Sequence, residues 1–331
     1  MMTTVSFALP KVASSIFRSA FSMTSHRSVK LLLGTSVLLH LAEFFICSFF
    51  FTQASAPFFV APTATLIDGK ESFLYAYSIT RQYGFFTVQL SLLALFAATN
   101  PPLYQHAVRI LALARLAMAG FGLYAFAQGN LTLFQLMPSF LSNVGLAALL
   151  LRHCPTERLP LTVVQDLNGV SDKYTLGIKL TPSVQRRLLQ ALCIIAGGLW
   201  MLWGLGSTVF WEIGVANISS DRAAELNLLN AMQANHIVRN QQGLLLFSIG
   251  AATALGAYFP MSHVRLLEFV MAQQVINATS AVVELMFGAI FLPQFLTVFS
   301  AQVVTYLVVY MLYPTATAVG DSVELMAEEK R

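Results

Sequence analysis

Hydrophobic residues in this sequence gather in long, nearly uninterrupted runs that short polar stretches separate. Each run holds roughly 18–25 residues, which is the length of helix that crosses the hydrocarbon core of a membrane. Strands of a membrane barrel would alternate apolar and polar positions over about ten residues, and these runs do not alternate. The pattern predicts an all-α, polytopic membrane protein with eight transmembrane helices at residues 31–51, 82–98, 106–126, 131–151, 188–210, 242–259, 264–289 and 291–313.

Composition and charge agree with this prediction and add an orientation. Of 331 residues, 56% are hydrophobic and only 10% are charged, whereas soluble domains carry about 25% charged residues. Fourteen of the 19 lysines and arginines fall on the side of the N-terminus, and four fall on the opposite side, namely Lys70, Arg81, Arg222 and Arg239. The positive-inside rule therefore places both termini in the cytoplasm. The net charge of +4 follows from topology and gives no support to a nucleic-acid partner.

The N-terminal region leaves two interpretations of the membrane open. Residues 1–30 contain basic residues and serines but no acid, a composition that suits a cytoplasmic tail and also a mitochondrial transit peptide. Ala54-Ser55-Ala56 resembles a signal-peptidase site, but the apolar run before it is too long for a signal peptide, so we expect a retained helix. We predict the bacterial cytoplasmic (inner) membrane, with the mitochondrial inner membrane as the alternative.

The two halves of the chain repeat the same order of features. The segment "YAYSITRQYG" (75–84) aligns with "QANHIVRNQQG" (233–243), so that Arg81 matches Arg239 and Gly84 matches Gly243. Because each half has four helices, an even number, the second copy enters the membrane from the same side, and the units are parallel rather than inverted. The predicted divisions are a basic tail (1–30), unit 1 (31–151), a cytoplasmic linker (152–187), unit 2 (188–313) and an acidic tail (314–331).

The second long outer loop carries a helical pattern of its own. In residues 219–239, Ser220 and Asp221 suit a helix start, and Leu226, Leu229 and Met232 recur at helical spacing. Two interpretations are open: an amphipathic helix on the outer membrane surface, or an extended start of helix 6.

An Arg followed by a Gly at the mouth of the second helix, a Pro turn and an Arg-bearing third helix resemble the DoxX-like four-helix membrane proteins. The resemblance covers most of residues 28–313 as a tandem duplication. It implies a bundle architecture and, for some members of the family, a link to quinone or thiol oxidation. The thiol chemistry needs a cysteine pair, whereas Cys47, Cys154 and Cys193 lie far apart and form no CxxC motif.

Ionisable residues interrupt the apolar run "TSVLLHLAEFFICSFF" at His40 and Glu43, which share one helix face. At 1.5 Å per residue they lie about 14 and 18 Å from the inner end of helix 1, and Arg115 lies about 14 Å deep in helix 3. Because charges inside a membrane are costly unless they are paired, the three are predicted to form one cluster. The cluster is either a structural ion pair with a hydrogen-bonding histidine or a site that binds an anionic or quinone-like headgroup or passes protons.

The second unit lacks these residues, which makes the predicted site one-sided. The matching part of helix 5 reads "CIIAGGLWMLWGLG", and Arg115 falls near Gln273 and Gln274 in the alignment. The charges near the ends of later helices are interpreted as structural ion pairs. These pairs are Arg265 with Glu268, and Arg239 with Glu284.

No HExxH, GxSxG or P-loop pattern occurs, and the histidines lie at depths that do not suit a haem or metal site. No cofactor is predicted, and quinone or lipid stays open as a ligand. We expect a non-enzymatic accessory or lipid/quinone-contacting component of a membrane system, with membrane lipids and a larger membrane complex as partners. The alternatives are a small-molecule or proton-coupled transporter whose path Glu43 and Arg115 line, and a membrane oxidoreductase partner. A transporter should have interrupted helices in both halves, and only Gly197-Gly198 and Gly204/Gly206 approach that pattern.

Overall fold

The computed structural model describes residues 27–49, 70–127, 132–155, 172–175, 178–209, 236–288, 290 and 292–314. Side chains are not described at 70–79, 135, 174, 209 and 236–239. Residues 1–26, the Ala54-Ser55-Ala56 sequence, most of the outer segment 219–239 and nearly all of the acidic tail lie outside the described residues. The predictions made for them are therefore not tested.

The described part of the chain consists of eight long helices and one short hairpin. The helices are α1 (Arg27–Phe49), α2 (Lys70–Thr99), α3 (Gln105–Ala127), α4 (Leu133–His153), α5 (Pro182–Val209), α6 (His236–Leu255), α7 (Val264–Met286) and α8 (Leu292–Leu312). Strands β1 (Lys173–Thr175) and β2 (Ile178–Leu180) pair antiparallel in the linker before α5.

Six helical stretches are long and apolar enough to cross a membrane. These are Arg27–Phe49, Thr80–Thr99, Gln105–Ala127, Pro182–Thr208, Val264–Met286 and Leu292–Leu312. The prediction of a helical, membrane-embedded protein is thus confirmed at this level. Large apolar side chains such as Leu38, Leu202 and Trp203 are 67–70% exposed, as expected where the surrounding medium is lipid.

Several helices begin before the apolar runs that predicted them. α2 begins at Lys70 rather than near residue 82, α5 at Pro182 rather than 188, and α6 at His236 rather than 242. An apolar run marks the part of a helix that lies in hydrocarbon, and the helix continues through polar residues beyond it. α6 ends earlier than predicted, at Leu255, because the chain turns there through Phe259, which has a φ of 53° and precedes Pro260.

The two halves pack their helices in the same pattern. α1 packs along α2 as α5 packs along α6, and α3 packs along α4 as α7 packs along α8. α1 also contacts α4, as α5 contacts α8. Between the halves, α6 contacts α2 and α3, and α7 contacts α2. We call this central zone among α2, α3, α6 and α7 the seam.

Small residues bring α5 and α6 into backbone contact. A Cβ atom added to Gly197 would lie 2.6 Å from the carbonyl oxygen of Gly250, and one added to Gly204 would lie 2.5 Å from that of Gly243. Close approach at small residues is a common way for membrane helices to associate. α5 is continuous past these glycines, so they serve packing against α6 and do not interrupt the helix.

The linker hairpin and the start of α5 cap the C-terminal end of α8. Lys173 Nζ donates to the carbonyl oxygen of Tyr313 at 2.7 Å, and Thr175 Oγ1 donates to that of Met311 at 3.3 Å. Gln185 Nε2 donates to the carbonyl of Leu312 at 2.6 Å. The last carbonyls of a helix have no partner within the helix, so the connection between the two halves supplies donors to the end of α8.

Candidate functional site

The structure brings His40, Glu43 and Arg115 together inside the first half. His40 and Glu43 lie on α1, and Arg115 lies on α3. His40 and Arg115 are each 4% exposed, whereas the Glu43 side chain is 31% exposed. Two cluster members are thus enclosed by neighbouring helices, and the carboxylate is partly open to the surroundings.

Hydrogen bonds within the cluster fix the form of the imidazole. Arg115 Nη2 lies 3.1 Å from His40 Nε2, and because a guanidinium only donates, Nε2 must accept. The proton of a neutral imidazole then sits on Nδ1, which donates to Glu43 Oε2 at 3.1 Å. The resulting chain runs from guanidinium through neutral imidazole to carboxylate. His40 cannot gain a second proton while Arg115 keeps this bond.

Asn143 on α4 completes the cluster and was not predicted. Its Oδ1 accepts from Arg115 Nη1 at 2.9 Å, and its Nδ2 donates to the carbonyl of Ser139 at 2.9 Å. The second bond orients the carboxamide so that its oxygen faces the guanidinium. The sequence feature that could have indicated Asn143 is its position as a polar amide in the middle of an apolar run. In the structure its side chain is 6% exposed and lies inside the bundle.

The cluster balances its own charges and leaves little room. Arg115 Nη1 lies 4.0 Å from Glu43 Oε1, so one positive and one negative group face each other around a neutral histidine. The cavity beside them measures about 10 Å³, which holds about one water molecule. The rest of its wall is formed by Tyr83, Leu90, Ala114, Met118 and Leu245. A quinone or phosphate headgroup does not fit in this space.

The second half carries tryptophans at the positions of the cluster. Gly84 on α2 faces Ser48 on α1, and Gly243 on α6 faces Thr208 on α5 in the same way. The shift along the chain that relates Ser48 to Thr208 also relates His40 to Trp200 and Glu43 to Trp203. Within the described residues, the charged cluster is therefore found in the first half alone.

The two predicted ion pairs at helix ends have different outcomes. Arg265 and Glu268 form the expected pair, with an N–O distance of 2.7 Å. Both carboxylate oxygens of Glu284 accept from Arg81, at 2.8 and 2.9 Å, a partner that the sequence did not indicate. The predicted pair with Arg239 is not tested. Arg81 and Arg239 occupy equivalent positions in the repeat, and the seam places α7 beside α2. The side chain of Arg239 lies outside the described residues.

No metal centre is found among the residues that the structure describes. No group of three His, Cys, Asp or Glu side chains there lies close enough to hold a metal ion. His263, at the start of α7, instead directs Nδ1 and Nε2 at the carbonyl oxygens of Phe259 and Leu103, at 3.1 and 3.3 Å. All three cysteines are buried and free.

An apolar groove lies between α1, α2 and α7. It measures about 210 Å³, and aromatic and aliphatic side chains form nearly all of its wall. The lining residues are Leu41, Phe44, Phe45, Phe85, Val88, Val275, Ile276 and Thr279. The lining residues on α1 are Leu41, Phe44 and Phe45, which directly follow the cluster residues His40 and Glu43 in sequence. The groove and the cluster therefore occupy neighbouring faces of the same helix.

Comparison with family models, with curated proteins and with solved structures finds no match to this chain. The resemblance of residues 28–313 to DoxX-like proteins is thus neither supported nor contradicted, and it stays a prediction. Two features of the structure bear on function: a charge-balanced cluster with room for about one water molecule, and an apolar groove beside it.

Proposed function

We propose that the chain is an integral membrane protein with eight spans, arranged as two parallel four-helix units with both termini on the cytoplasmic side. Six stretches meet the requirements of a span by themselves, and α4 and α6, with 21 and 20 residues, have matching lengths. The shared packing pattern of the halves supports a duplication. The excess of basic residues on one side supports the orientation.

Within this topology, we propose a non-enzymatic accessory protein that binds the chain of a lipid or of a quinone. The observation that carries this proposal is the apolar groove, whose lining exposes almost no polar atoms. Phe44 lies about 20 Å from the inner end of the first apolar run, a depth at which hydrocarbon chains are the solvent. The cluster then has a structural role, because its charged groups pair with one another and its cavity is too small for a headgroup.

A second candidate function is proton-coupled transport through Glu43 and Arg115. One observation favours it, the 31% exposure of the Glu43 side chain beside an otherwise buried polar chain. The continuity of α5 through Gly197 and Gly204 speaks against a helix that is broken for transport. Proton flux in vesicles that contain the purified protein, abolished by Glu43→Gln, would favour this candidate over the accessory function.

The proposed setting is the bacterial inner membrane, with the mitochondrial inner membrane as the alternative and a larger membrane complex as the partner. Purification in mild detergent followed by native mass spectrometry tests both the partner and the ligand. We expect a bound lipid or quinone in the parent protein, and its mass distinguishes an acyl chain from an isoprenoid chain.

Filling the groove provides the matched test of the ligand site. Val88→Phe places a ring inside the groove, whereas Val304→Phe adds the same bulk at a position on α8 that is 59% exposed. We expect Val88→Phe to lose the bound molecule and Val304→Phe to keep it. Equal retention in both variants would show that the bound molecule belongs to the general lipid shell, and would remove the support for this function.

A further inference from the structure

Three buried carboxamide side chains lie on α2 and α7 in the seam. Gln89 is 1% exposed, Asn277 is 6% exposed and Gln273 is fully buried. Gln89 Nε2 donates to Asn277 Oδ1 at 2.7 Å, which joins α2 of the first half to α7 of the second. Gln273 Oε1 lies 2.8 Å from Thr253 Oγ1 on α6.

Each of these carboxamides keeps one polar atom that has no hydrogen-bond partner among the described residues. The atoms are Gln89 Oε1, Asn277 Nδ2 and Gln273 Nε2. Asn277 and Gln273 are four residues apart and therefore lie one turn apart on the same face of α7. A buried polar atom without a partner costs about 1–3 kcal/mol, so three of them together indicate a missing polar partner.

The orientation of Gln273 decides which of its atoms needs that partner. Thr253 Oγ1 has one hydrogen and lies within bonding distance of two acceptors, Ile249 O at 2.9 Å and Gln273 Oε1 at 2.8 Å. Rotating the carboxamide by 180° resolves the conflict, because Nε2 then donates to the hydroxyl while the hydroxyl donates to Ile249. The atom left over is then Gln273 Oε1, an acceptor.

In either orientation the three atoms include at least one donor and at least one acceptor. An anion would require donors only and a cation would require acceptors only, whereas water donates two hydrogen bonds and accepts two. We propose that the structure contains a bound water site at this junction, in the middle of the membrane, held by Gln89, Asn277 and Gln273. Buried waters typically make about three hydrogen bonds to groups that have no other partner, which is the number offered here.

The water site continues a line of polar contacts between the halves. Toward the outer side of the seam, Gln242 Nε2 donates to Gln82 Oε1 at 2.9 Å, and Arg81 binds Glu284. Gln89 lies about 12 Å further along α2 than Arg81. The halves are thus joined by polar bonds from the outer mouth to mid-depth, and the proposed water lies further in than the contacts of Gln82 and Arg81.

A density map of the parent protein that resolves ordered waters elsewhere tests the site directly. We expect one spherical peak within about 2.7–3.2 Å of the carboxamides of Gln89, Asn277 and Gln273. A junction with well-ordered side chains and no peak would overturn the proposal. So would an anomalous signal at the peak in crystals grown with bromide, since it would identify an anion.

Thermal unfolding of two variants in detergent gives an independent test. Both variants are made in a Thr253→Val background, which removes the direct bond of Gln273 to α6. Gln273→Met then removes one partner of the water, whereas Gln274→Met makes the same change at the next position, where Nε2 donates to the carbonyl of Val270 on its own helix. If water is bound, Gln273→Met should lower the unfolding midpoint by at least about 2 °C more than the control. A midpoint equal to or above that of Gln274→Met would mean that the site is dry.

Discussion

Arg81 and Glu284 are 203 residues apart in sequence and form a two-bond ion pair, with N–O distances of 2.8 and 2.9 Å. Each side chain is 3% exposed. The ring of Phe287 covers the guanidinium at 4.3 Å, an arrangement that stabilises a cation. Because Arg81 belongs to α2 and Glu284 to α7, the pair fastens the first half of the chain to the second.

Removing one member of this pair should destabilise the protein more than removing both. Arg81→Met and Glu284→Leu each remove both hydrogen bonds of the pair from the buried charge that stays, and we expect each to lower the free energy of unfolding by about 3–5 kcal/mol. The double variant leaves no buried charge and should be closer to the parent than either single variant. Denaturant unfolding in detergent measures all four proteins. A double variant whose loss equals the sum of the single losses would rule out direct coupling.

The sequence did not indicate that Glu284 binds Arg81, and the reason is physical. Depth along a helix can be calculated from the sequence, and Arg81 and Arg239 both lie at the outer mouth of the second helix of their unit. A duplicated chain therefore offers two equivalent partners at one depth. Which of them meets Glu284 depends on the lateral arrangement of the helices, and apolar runs carry no information about that arrangement.

Loss of Glu43 should weaken the first half even though the carboxylate is partly exposed. In Glu43→Ala, His40 Nδ1 loses its acceptor and Arg115 keeps an unbalanced charge. We expect the free energy of unfolding to fall by about 1.5–3 kcal/mol. Asp172→Ala is the control, since it removes a 2.7 Å ion pair with Lys179 whose side chains are 40% and 54% exposed, and its cost should be less than about 1 kcal/mol. Equal unfolding curves for Glu43→Ala and the parent would contradict the cluster.

The cluster shows what depth arithmetic can and cannot predict. His40, Glu43 and Arg115 are charged or titratable, so the cost of burial demands partners, and equal depth on helices of one unit identifies them. Asn143 is uncharged, and an amide in an apolar helix can bond within its own helix, as its Nδ2 does with Ser139. Its second role toward Arg115 depends on the rotation of α4. That rotation is set by packing and was not predictable from the spacing of apolar residues.

Replacing glycine by alanine should destabilise the protein at Gly250 but not at Gly198. A Cβ at Gly250 would lie 2.6 Å from the backbone nitrogen of Met201 and 2.7 Å from the carbonyl oxygen of Gly197, whereas a Cβ at Gly198 would meet no atom within 4 Å. Gly250→Ala forces α5 and α6 apart and should cost about 1–3 kcal/mol. Gly198→Ala should be neutral or stabilising by about 0.5–1 kcal/mol, because alanine favours helix. Thermal unfolding of the two variants tests this, and equal midpoints would show that the helices do not touch at Gly250.

Tyr313, just beyond the end of α8, is held in its neutral form at the inner end of the bundle. Its hydroxyl donates to Glu268 Oε1 at 2.8 Å, and Arg265 also binds Glu268, at 2.7 Å. Burial of the ring, followed by the nearby Glu268 carboxylate, raises the pKa of Tyr313 well above its usual value. The neutral phenol is therefore favoured in the folded protein over the unfolded chain.

This shift predicts a loss of stability at alkaline pH. A free tyrosine has a pKa of about 10, so above that pH the unfolded chain releases the Tyr313 proton while the folded protein keeps it, and the equilibrium moves toward unfolding. The contribution of the neutral Tyr313 phenol to folding stability is fully present below about pH 10 and declines as the pH rises further. Tyr313→Phe lacks the titrating group, so the stability gap between it and the parent should narrow between about pH 9 and 11. Unfolding midpoints that fall in parallel for the two proteins would show that the phenol does not titrate with folding.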